Sequence, residues 1–317
     1  MSTHHASPNR QVVWMVLAML AIGLVAPYFV YPTFLMKLLC FALFASAFNL
    51  LLGFSGLLSF GHAAFFGGSA YVTGYLIQSV GLTPELGILL GGVFSGLLGA
   101  VFGMLAIRRS GIYFAMITLG LAQLVFFLAL QLPFTGGEDG MQGIPRGLLF
   151  GLIDLNDNMA MYYFVFAIFM LGFLLIYRTI HSPYGQILKA IRDNEARATS
   201  LGYDIDKFKL LAFVISASLA GVAGSTKAVV FQLASLSDVH WHMSGQVVLM
   251  TLLGGLGTIL GPAVGAFTII GLENVLADKV GSWVMVIMGL IFVLCVLLFR
   301  RGIVGELKAF IKRTGIN

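Results

Sequence analysis

The stretch FLMKLLCFALFASAFNLLL, from Phe34 to Leu52, contains a single charged residue, Lys37. A helix rises about 1.5 Å per residue, so about 20 apolar residues reach across the hydrocarbon core of a bilayer. The rest of the chain has the same character: 59% of its residues are hydrophobic, 10% are charged, and the mean hydropathy is +0.98. This composition indicates a membrane protein built from transmembrane helices.

Seven further stretches are long and apolar enough to cross a membrane as helices. Together with the first stretch they predict an all-α, polytopic integral membrane protein with about eight full transmembrane helices. The most N-terminal one lacks a convincing cleavage site, so we expect a retained span rather than a signal peptide. The seven stretches are Gln11–Val30, His62–Val80, Leu86–Ile107, Ile112–Leu132, Met159–Tyr177, Leu210–Phe231 and Val280–Phe299.

The segment Gly245–Ala277 has a different pattern. It is interrupted by GGLGTILGP, from Gly254 to Pro262, which contains four glycines and a proline. The apolar piece on either side, about ten residues long, would rise about 15 Å, half the thickness of the core. Irregular backbone at membrane depth is tolerated only inside protein or along a cavity. We therefore expect a re-entrant or broken helical hairpin, with one long helix kinked at Pro262 as the alternative.

The distribution of positive charge predicts the orientation. Eight crossings place both termini on one side, together with the Arg108–Arg109 pair and the polar segment 178–209. That side holds most of the 18 lysines and arginines, which identifies it as cytoplasmic. The predicted layout is a cytoplasmic tail at 1–10, a transmembrane domain at 11–304 and a cytoplasmic tail at 305–317.

Two longer loops, 133–158 and 232–243, lie on the opposite side in this topology. Turn residues throughout the first predict a loop exposed to outside solvent. The glycine-rich segment Gly53–Gly68 would approach from the cytoplasmic side, and the interrupted segment at Gly254 from the outer side. Two glycine-broken segments that approach from opposite sides are the pattern of a possible inverted repeat.

The predicted spans contain few groups that could carry chemistry. Glu85 lies at a span end, and Lys37 and Lys227 lie close enough to span ends to snorkel to the surface. This disfavours a transporter driven by protons or sodium, although a sodium site made of carbonyl groups stays possible. The positive charges lie in short polar stretches, as in membrane proteins, so no nucleic-acid partner is expected.

Enzymatic and nucleotide-binding signals are weak. GVAGSTKA, from Gly221 to Ala228, lacks the residue order of a phosphate-binding loop, so ATP chemistry would need another polypeptide. The histidines His62, His181, His240 and His242 have no carboxylate or cysteine at ligand or triad spacing. We therefore expect a chain that is not an enzyme and binds no metal or cofactor.

A polar block interrupts the apolar pattern between Tyr177 and Phe213. Ser182 followed by Pro183 predicts a helix start, and Gly202 predicts its end. The helix would be amphipathic, and its apolar side could lie on lipid or, as we favour, in a groove of a cytosolic partner. Its apolar side would carry Ile187, Leu188, Ile191, Ala198 and Leu201, and its polar side Lys189, Arg192, Glu195 and Arg197.

This block, SPYGQILKAIRDNEARATSLG (182–202), resembles the coupling segment, the EAA loop, of ABC-importer permeases. More narrowly, the chain is similar to the branched-chain amino acid permease family, in its LivM-type subunit. It departs from the general EAA pattern because Gly202 lies seven residues after Glu195 and no proline follows. The other matching stretches, in order, are NLLLGFSGLLSFGHAAFFGGSAY (49–71), GIYFAMITLGLAQ (111–123), TGGEDGMQGIP (135–145), KLLAFVISASLAGVAG (209–224) and LLGGLGTILGPAVGA (252–266).

The resemblance implies a permease of the bacterial inner membrane that pairs with a second, LivH-like permease. Two cytosolic ATPases, using ATP and magnesium, would drive alternating access, and a periplasmic binding protein would deliver the substrate. Substrates in the family are leucine, isoleucine and valine, and in relatives other amino acids, urea or amides. The alternative function is an ion-coupled secondary transporter or a channel for small polar solutes.

The resemblance and the topology together assign residues to three roles. The coupling motif corresponds to Arg192, Glu195, Ala196 and Gly202. The translocation pathway would be lined by Ser55, Ser59, Thr118, Gln123, Gly254, Gly255 and Gly257, unless the hydroxyls and the amide only serve helix packing. The loop facing the binding protein would present Thr135, Gly136, Gly137, Glu138 and Asp139.

Overall fold

The computed structural model describes residues 8–283, 286–291, 293 and 302–306. The described chain is almost entirely helical, and five of its helices are long and apolar enough to cross a membrane, namely α2, α4, α5, α6 and α9. The helices are α1 Pro8–Val25, α2 Pro32–Ser55, α3 His62–Gln78, α4 Pro84–Ala106, α5 Ile112–Gln131, α6 Asn158–His181, α7 Pro183–Asp193, α8 Glu195–Ser200, α9 Ile205–Phe231, α10 Leu236–Val239, α11 Trp241–Gly254 and α12 Gly261–Val280.

The prediction of an all-α polytopic membrane protein is thus confirmed, while the number of membrane crossings stays a prediction. Each of the seven predicted spans before residue 232 coincides with a helix. Nine of the 20 residues of the predicted span Val280–Phe299 lie outside the described residues, as do most of the two predicted tails. Four two-residue strands complete the architecture: β1 Met141–Gln142, β2 Leu148–Leu149, β3 Ile153–Asp154 and β4 Leu233–Ala234.

Helix α2 forms the centre of the bundle. It is apolar on all sides and enclosed along most of its length, as expected for a helix surrounded by protein. Helices α6, α9, α11 and α12 pack around it. Helices α4 and α5, by contrast, direct rows of leucine, methionine and phenylalanine side chains outward, so they form part of the apolar outer surface.

Small residues allow the helices to approach closely, as is typical of membrane bundles. A Cβ atom at Gly99 of α4 would overlap the side chain of Ala217 in α9. One at Gly224 of α9 would overlap the backbone of Phe66 in α3. Glycine is therefore required at these two contacts for steric reasons.

The interrupted segment folds as a hairpin of two helices, α11 and α12, joined by the non-helical residues 255–260. The alternative of one long kinked helix is therefore wrong. The half-depth estimate is also wrong for the second helix, because α12 has 20 residues and rises about 30 Å. The apolar pattern of the sequence ends near the polar residues Glu273 and Lys279, but helix α12 continues through both of them.

The turn of this hairpin lies beside the C-terminal end of α2, the end that α7 also contacts. The side-chain amide of Asn49 accepts a hydrogen bond from the Gly257 N–H at 3.0 Å and donates one to the Thr258 carbonyl at 2.9 Å. A Cβ atom at Gly302 would overlap Gly255, so the chain returns to this end after α12. The two glycine-rich segments meet at this end, since a Cβ atom at Gly53 would lie 2.7 Å from the Gly257 N, and the possible inverted repeat stays a prediction.

The two long loops predicted to share one side do contact each other. Strand β1 pairs with β4 in an antiparallel ladder, and the Ile144 N–H donates to the Gln232 carbonyl at 3.2 Å. Strands β2 and β3 form a second small hairpin within the first loop. The loops thus form one cap over the end of the bundle that is remote from α7.

Candidate functional site

The polar block is two helices rather than the single helix that the sequence predicts. Ser182 caps α7 by accepting a hydrogen bond from the Gly185 N–H at 3.3 Å, which confirms the predicted start. Asn194 then adopts an extended conformation, with φ −159°, and its side chain accepts from the Arg197 N–H at 3.0 Å as the cap of α8. Asparagine is a preferred capping residue, so a local signal for this break is present in the sequence.

Gly202 ends α8, as predicted. Its φ of +87° lies in the left-handed region that favours glycine. The Gly202 N–H donates to the Thr199 carbonyl at 2.9 Å, and the Tyr203 N–H donates to the Ala198 carbonyl at 3.2 Å. These two hydrogen bonds form a Schellman motif, which satisfies the last carbonyl groups of the helix. We call residues 183–202 the coupling segment.

The apolar side of the coupling segment packs on the chain itself. Leu188 and Ile191 are buried, and α7 contacts α2, α6 and α9. The interpretation that this side fits a groove of a partner is therefore wrong. Leu201, predicted to share the apolar side, is 70% exposed. Residues 195–202 are exposed except for Ala198, and we call them the exposed edge.

Arg192 is 39% exposed and pairs with Asp193 at 3.1 Å, but its guanidinium also reaches the bundle. Its Nη1 donates a short hydrogen bond to the carbonyl oxygen of Gly53, near the end of α2. The stem of the side chain lies against Gly56, whose φ is +75°. The same Nη1 lies next to Gly257 in the turn between α11 and α12. Arg192 therefore links the coupling segment to both glycine-rich segments, although the sequence places it on the polar side.

Glu195 forms an ion pair with Lys209 of α9, with 2.8 Å between Oε1 and Nζ. The Lys209 side chain is almost fully buried, whereas that of Glu195 is half exposed. The pair fastens α8 to the start of α9. Lys209 was not singled out by the sequence, because nothing local marks a lysine at a span end as buried.

Further polar contacts fix both ends of the segment. The Tyr184 hydroxyl donates to the Phe208 carbonyl at 2.9 Å, and burial raises the pKa of Tyr184. Asp204 caps α9, and its hydrogen bonds from the side chain and backbone of Lys207 hold the pKa of that carboxyl below its usual range. The segment is thus attached to the bundle on several sides.

The predicted pathway residues lie in several places, chiefly the non-helical segment 56–61 and the hairpin turn. Ser59 accepts from the Gly61 N–H at 3.1 Å, and Thr118 accepts from the Phe60 N–H at 3.1 Å, so both hold the non-helical segment 56–61. Ser55 donates to the Leu51 carbonyl of its own helix, in agreement with a packing role. The hairpin turn contains Gly255 and Gly257, and Gly254 is the last residue of the helix before it. Gln123 is half-buried on α5.

Two buried polar contacts were missed by the sequence analysis. The His62 Nε2 lies 2.9 Å from the Ser216 hydroxyl, which in turn donates to the Ala47 carbonyl at 2.6 Å, so that α2, α3 and α9 are joined. Lys227 does not snorkel. It pairs with Asp238, at 2.6 Å, because the second outer loop folds back into the bundle as α10.

The loop 133–158 exposes only some of the residues that were predicted to face a binding protein. Thr135 is buried and donates to the Leu132 carbonyl at 2.6 Å, so it does not face a partner. Gly136, Glu138 and Asp139 are exposed, and Gly137 is half-buried. Arg146 anchors the loop by donating to the Val230 carbonyl of α9 at 2.7 Å, and burial lowers the pKa of its guanidinium.

Comparison with known proteins identifies the family. Residues 30–296 match the profile described as branched-chain amino acid transport system / permease component. The chain is 28% identical, over 83% of its length and 67% of the relative's, to the high-affinity branched-chain amino acid transport system permease protein LivM of Salmonella typhimurium. It is 27% identical, with the same coverage, to LivM of Escherichia coli.

A more distant relative is named for the import of a different solute. The autoinducer 2 import system permease protein LsrC of Klebsiella pneumoniae is 29% identical over 59% of this chain and 52% of its own length. No solved structure gives a significant match. Because the family profile covers most of the sequence, the chain belongs to the family of permease components of branched-chain amino acid transport systems.

Proposed function

We propose that the chain is the membrane-spanning permease subunit of an ABC importer for branched-chain or related amino acids. In this proposal it lies in the bacterial inner membrane with both termini in the cytoplasm. It pairs with a LivH-like permease, is driven by two cytosolic ATPases that use ATP and magnesium, and receives substrate from a periplasmic binding protein. The chain itself supplies no catalytic group and no cofactor.

The observation that carries the proposal is the attachment of the coupling segment to the bundle. Its apolar side is buried, and its exposed edge, residues 195–202, is directed away from the bundle. A partner that presses on the exposed edge would therefore move α7 and α8 together. Packed protein interiors have low compressibility and transmit displacement. The movement would therefore reach α2, α6 and α9, the helices that α7 contacts.

Arg192 gives this movement a route to the middle of the protein. It contacts Gly53 at the end of α2 and lies beside Gly257 in the hairpin turn, which Asn49 also holds. In the proposed cycle, ATP binding shifts the coupling segment, and α2 and the hairpin follow as units. The spans then alternate between inward-open and outward-open states by rigid-body movement.

The outer cap completes the proposed cycle. Glu138 and Asp139 are exposed at the end of the bundle remote from α7, where a loaded binding protein would dock. Polar residues at the rim of an interface steer association more than they add to affinity. The choice among leucine, isoleucine, valine and related amino acids would then lie mainly in the binding protein.

Transport by the complete complex tests the proposal. The permease pair, both ATPases and the binding protein are reconstituted in proteoliposomes, and uptake of radiolabelled leucine is measured. We expect uptake that requires ATP and the binding protein and that persists when ionophores collapse proton and sodium gradients. Uptake by this chain alone, driven by a proton or sodium gradient, would contradict the proposal and support the ion-coupled alternative.

A further inference from the structure

A buried ion pair lies between α9 and α10. The Lys227 Nζ is 2.6 Å from both carboxylate oxygens of Asp238, and the two side chains are 13% and 2% exposed. Asp238 also accepts from the Ser235 hydroxyl at 3.0 Å and from the Ser235 N–H at 3.4 Å. Buried charges are costly in a membrane protein, so they mark a functional site more often than a packing solution.

An apolar hollow borders the ion pair. It lies between α2, α6 and α9, and its walls are so close together in this conformation that no water molecule would fit between them. Lys227 lies one helical turn after Ala223, which lines the hollow, so both residues share a face of α9. Cys40 lines the opposite wall. The other apolar lining residues include Leu39, Leu43, Val165 and Phe169.

An unsatisfied donor lies on α3, the helix that contacts α10. The Tyr71 hydroxyl is buried and has no hydrogen-bond partner among the described residues. Tyr71 lies one turn after Gly67, where a Cβ atom would meet the backbone of Asp238 at 2.6 Å, so it is on the face of α3 that contacts α10. A buried hydroxyl without a partner requires an explanation.

We propose that the Lys227–Asp238 pair, with the hollow beside it, is a binding site for the zwitterion of an apolar amino acid during its passage. This inference rests on the proposed function and specifies where this chain would contact the substrate. The ammonium of Lys227 binds the α-carboxylate, the carboxylate of Asp238 binds the α-ammonium, and the branched side chain enters the hollow as its walls part. Tyr71 supplies an additional hydrogen-bond donor.

The charge arrangement selects zwitterions. A zwitterion that enters between Lys227 and Asp238 replaces one ion pair with two, so no charge is left unpaired. A solute with one charge or none would separate the pair and leave Lys227 or Asp238 buried without a partner, which is strongly unfavourable. The apolar walls add selectivity, because each buried CH₂ group contributes about 0.8 kcal/mol.

Removal of both charges tests the site. The double variant Lys227→Met/Asp238→Leu replaces the pair with apolar side chains and leaves no lone charge. In proteoliposomes with the complete complex, we expect leucine uptake at least tenfold below wild type, while ATP hydrolysis stimulated by the binding protein stays within twofold. The matched control Lys37→Met removes a lysine near the start of α2, away from the Lys227–Asp238 pair. It should leave both activities unchanged.

Wild-type uptake by the double variant would overturn the inference, since it would mean that the pair only fastens α10 to α9. That result leaves the proposed function intact, whereas absence of ATP-dependent uptake by the wild-type complex would refute the proposed function itself.

A second measurement does not depend on assembly of the double variant. In a Cys295→Ser background, labelling of Cys40 by N-ethylmaleimide is followed by mass spectrometry during turnover. We expect 20 mM leucine to slow labelling at least threefold and the neutral analogue 4-methylpentanamide to leave it unchanged. Equal effects of the two solutes, or no effect of leucine, would contradict a zwitterion site at the hollow.

Discussion

The guanidinium of Arg192 donates a hydrogen bond to the carbonyl oxygen of Gly53, so helix α7 is joined directly to the end of the central helix α2. The stem of the same side chain covers Gly56, and its tip lies beside Gly257. One side chain thus contacts both glycine-rich segments. In the proposed importer, this is where movement of the coupling segment would reach the transmembrane helices.

The variant Arg192→Ala is expected to uncouple transport from ATP hydrolysis. It removes a hydrogen bond from a charged donor, of a kind that contributes about 1.5–3 kcal/mol. Because the Arg192 guanidinium contacts Gly53 and Asp193 and none of residues 195–202, we expect ATPase subunits to co-purify with the variant while leucine uptake falls at least tenfold. The control Lys207→Ala, at a side chain that is 83% exposed, should keep wild-type uptake. Loss of ATPase co-purification in Arg192→Ala would contradict the assignment.

Glu195 is expected to have two separable roles. Replacement by alanine leaves the buried ammonium of Lys209 without its partner, which costs about 1–3 kcal/mol. Glu195→Ala should therefore lower the thermal stability of the purified permease and its association with the ATPases. The double variant Glu195→Ala/Lys209→Met removes the lone charge, so we expect stability to recover while ATPase association stays weak. Recovery of both would mean that Glu195 acts only through Lys209.

Gly202 is expected to tolerate asparagine but not valine. Its φ of +87° is strained for most residues, less so for asparagine and most for β-branched residues. A Cβ atom at this position meets open space, so backbone strain and not overlap determines the outcome. We expect Gly202→Asn to keep ATPase pull-down within twofold of wild type and Gly202→Val to reduce it at least fivefold. Equal pull-down for the two variants would show that the end of α8 is not part of the contact.

Asn49 is expected to stabilise the hairpin turn. Its amide both accepts from Gly257 and donates to Thr258, so Asn49→Leu leaves two backbone groups unsatisfied, at a cost of about 1–3 kcal/mol each. We expect a lower midpoint of thermal unfolding and lower leucine uptake. Ser46→Ala, in the same helix, is the matched control, because the buried Ser46 hydroxyl has no partner among the described residues. A midpoint of Asn49→Leu equal to that of the control would contradict this role.

The sequence predicts those features whose signal is local. The spans are long apolar runs, and Ser182 and Gly202 mark helix ends by their own chemistry. The position of Arg192 could not be predicted in the same way, because its partner Gly53 lies 139 residues away. The pairing of Lys227 with Asp238 likewise depends on the return of α10 into the bundle. Helix α12 was predicted too short because hydropathy stops at its polar residues, whereas helical hydrogen bonds continue through them.

The close packing of α11 on α12 gives the last prediction. A Cβ atom at Gly265 would overlap the carbonyl oxygen of Met250, whereas one at Gly271, two turns further along α12, meets nothing. Gly265→Ala should therefore force the helices apart at a cost of about 1–3 kcal/mol, while Gly271→Ala should be neutral. We expect only the first variant to lower the thermal midpoint of the permease and to slow leucine uptake. Equal behaviour of the two alanine variants would show that the hairpin helices are free to separate, and that α11 and α12 do not move as one unit.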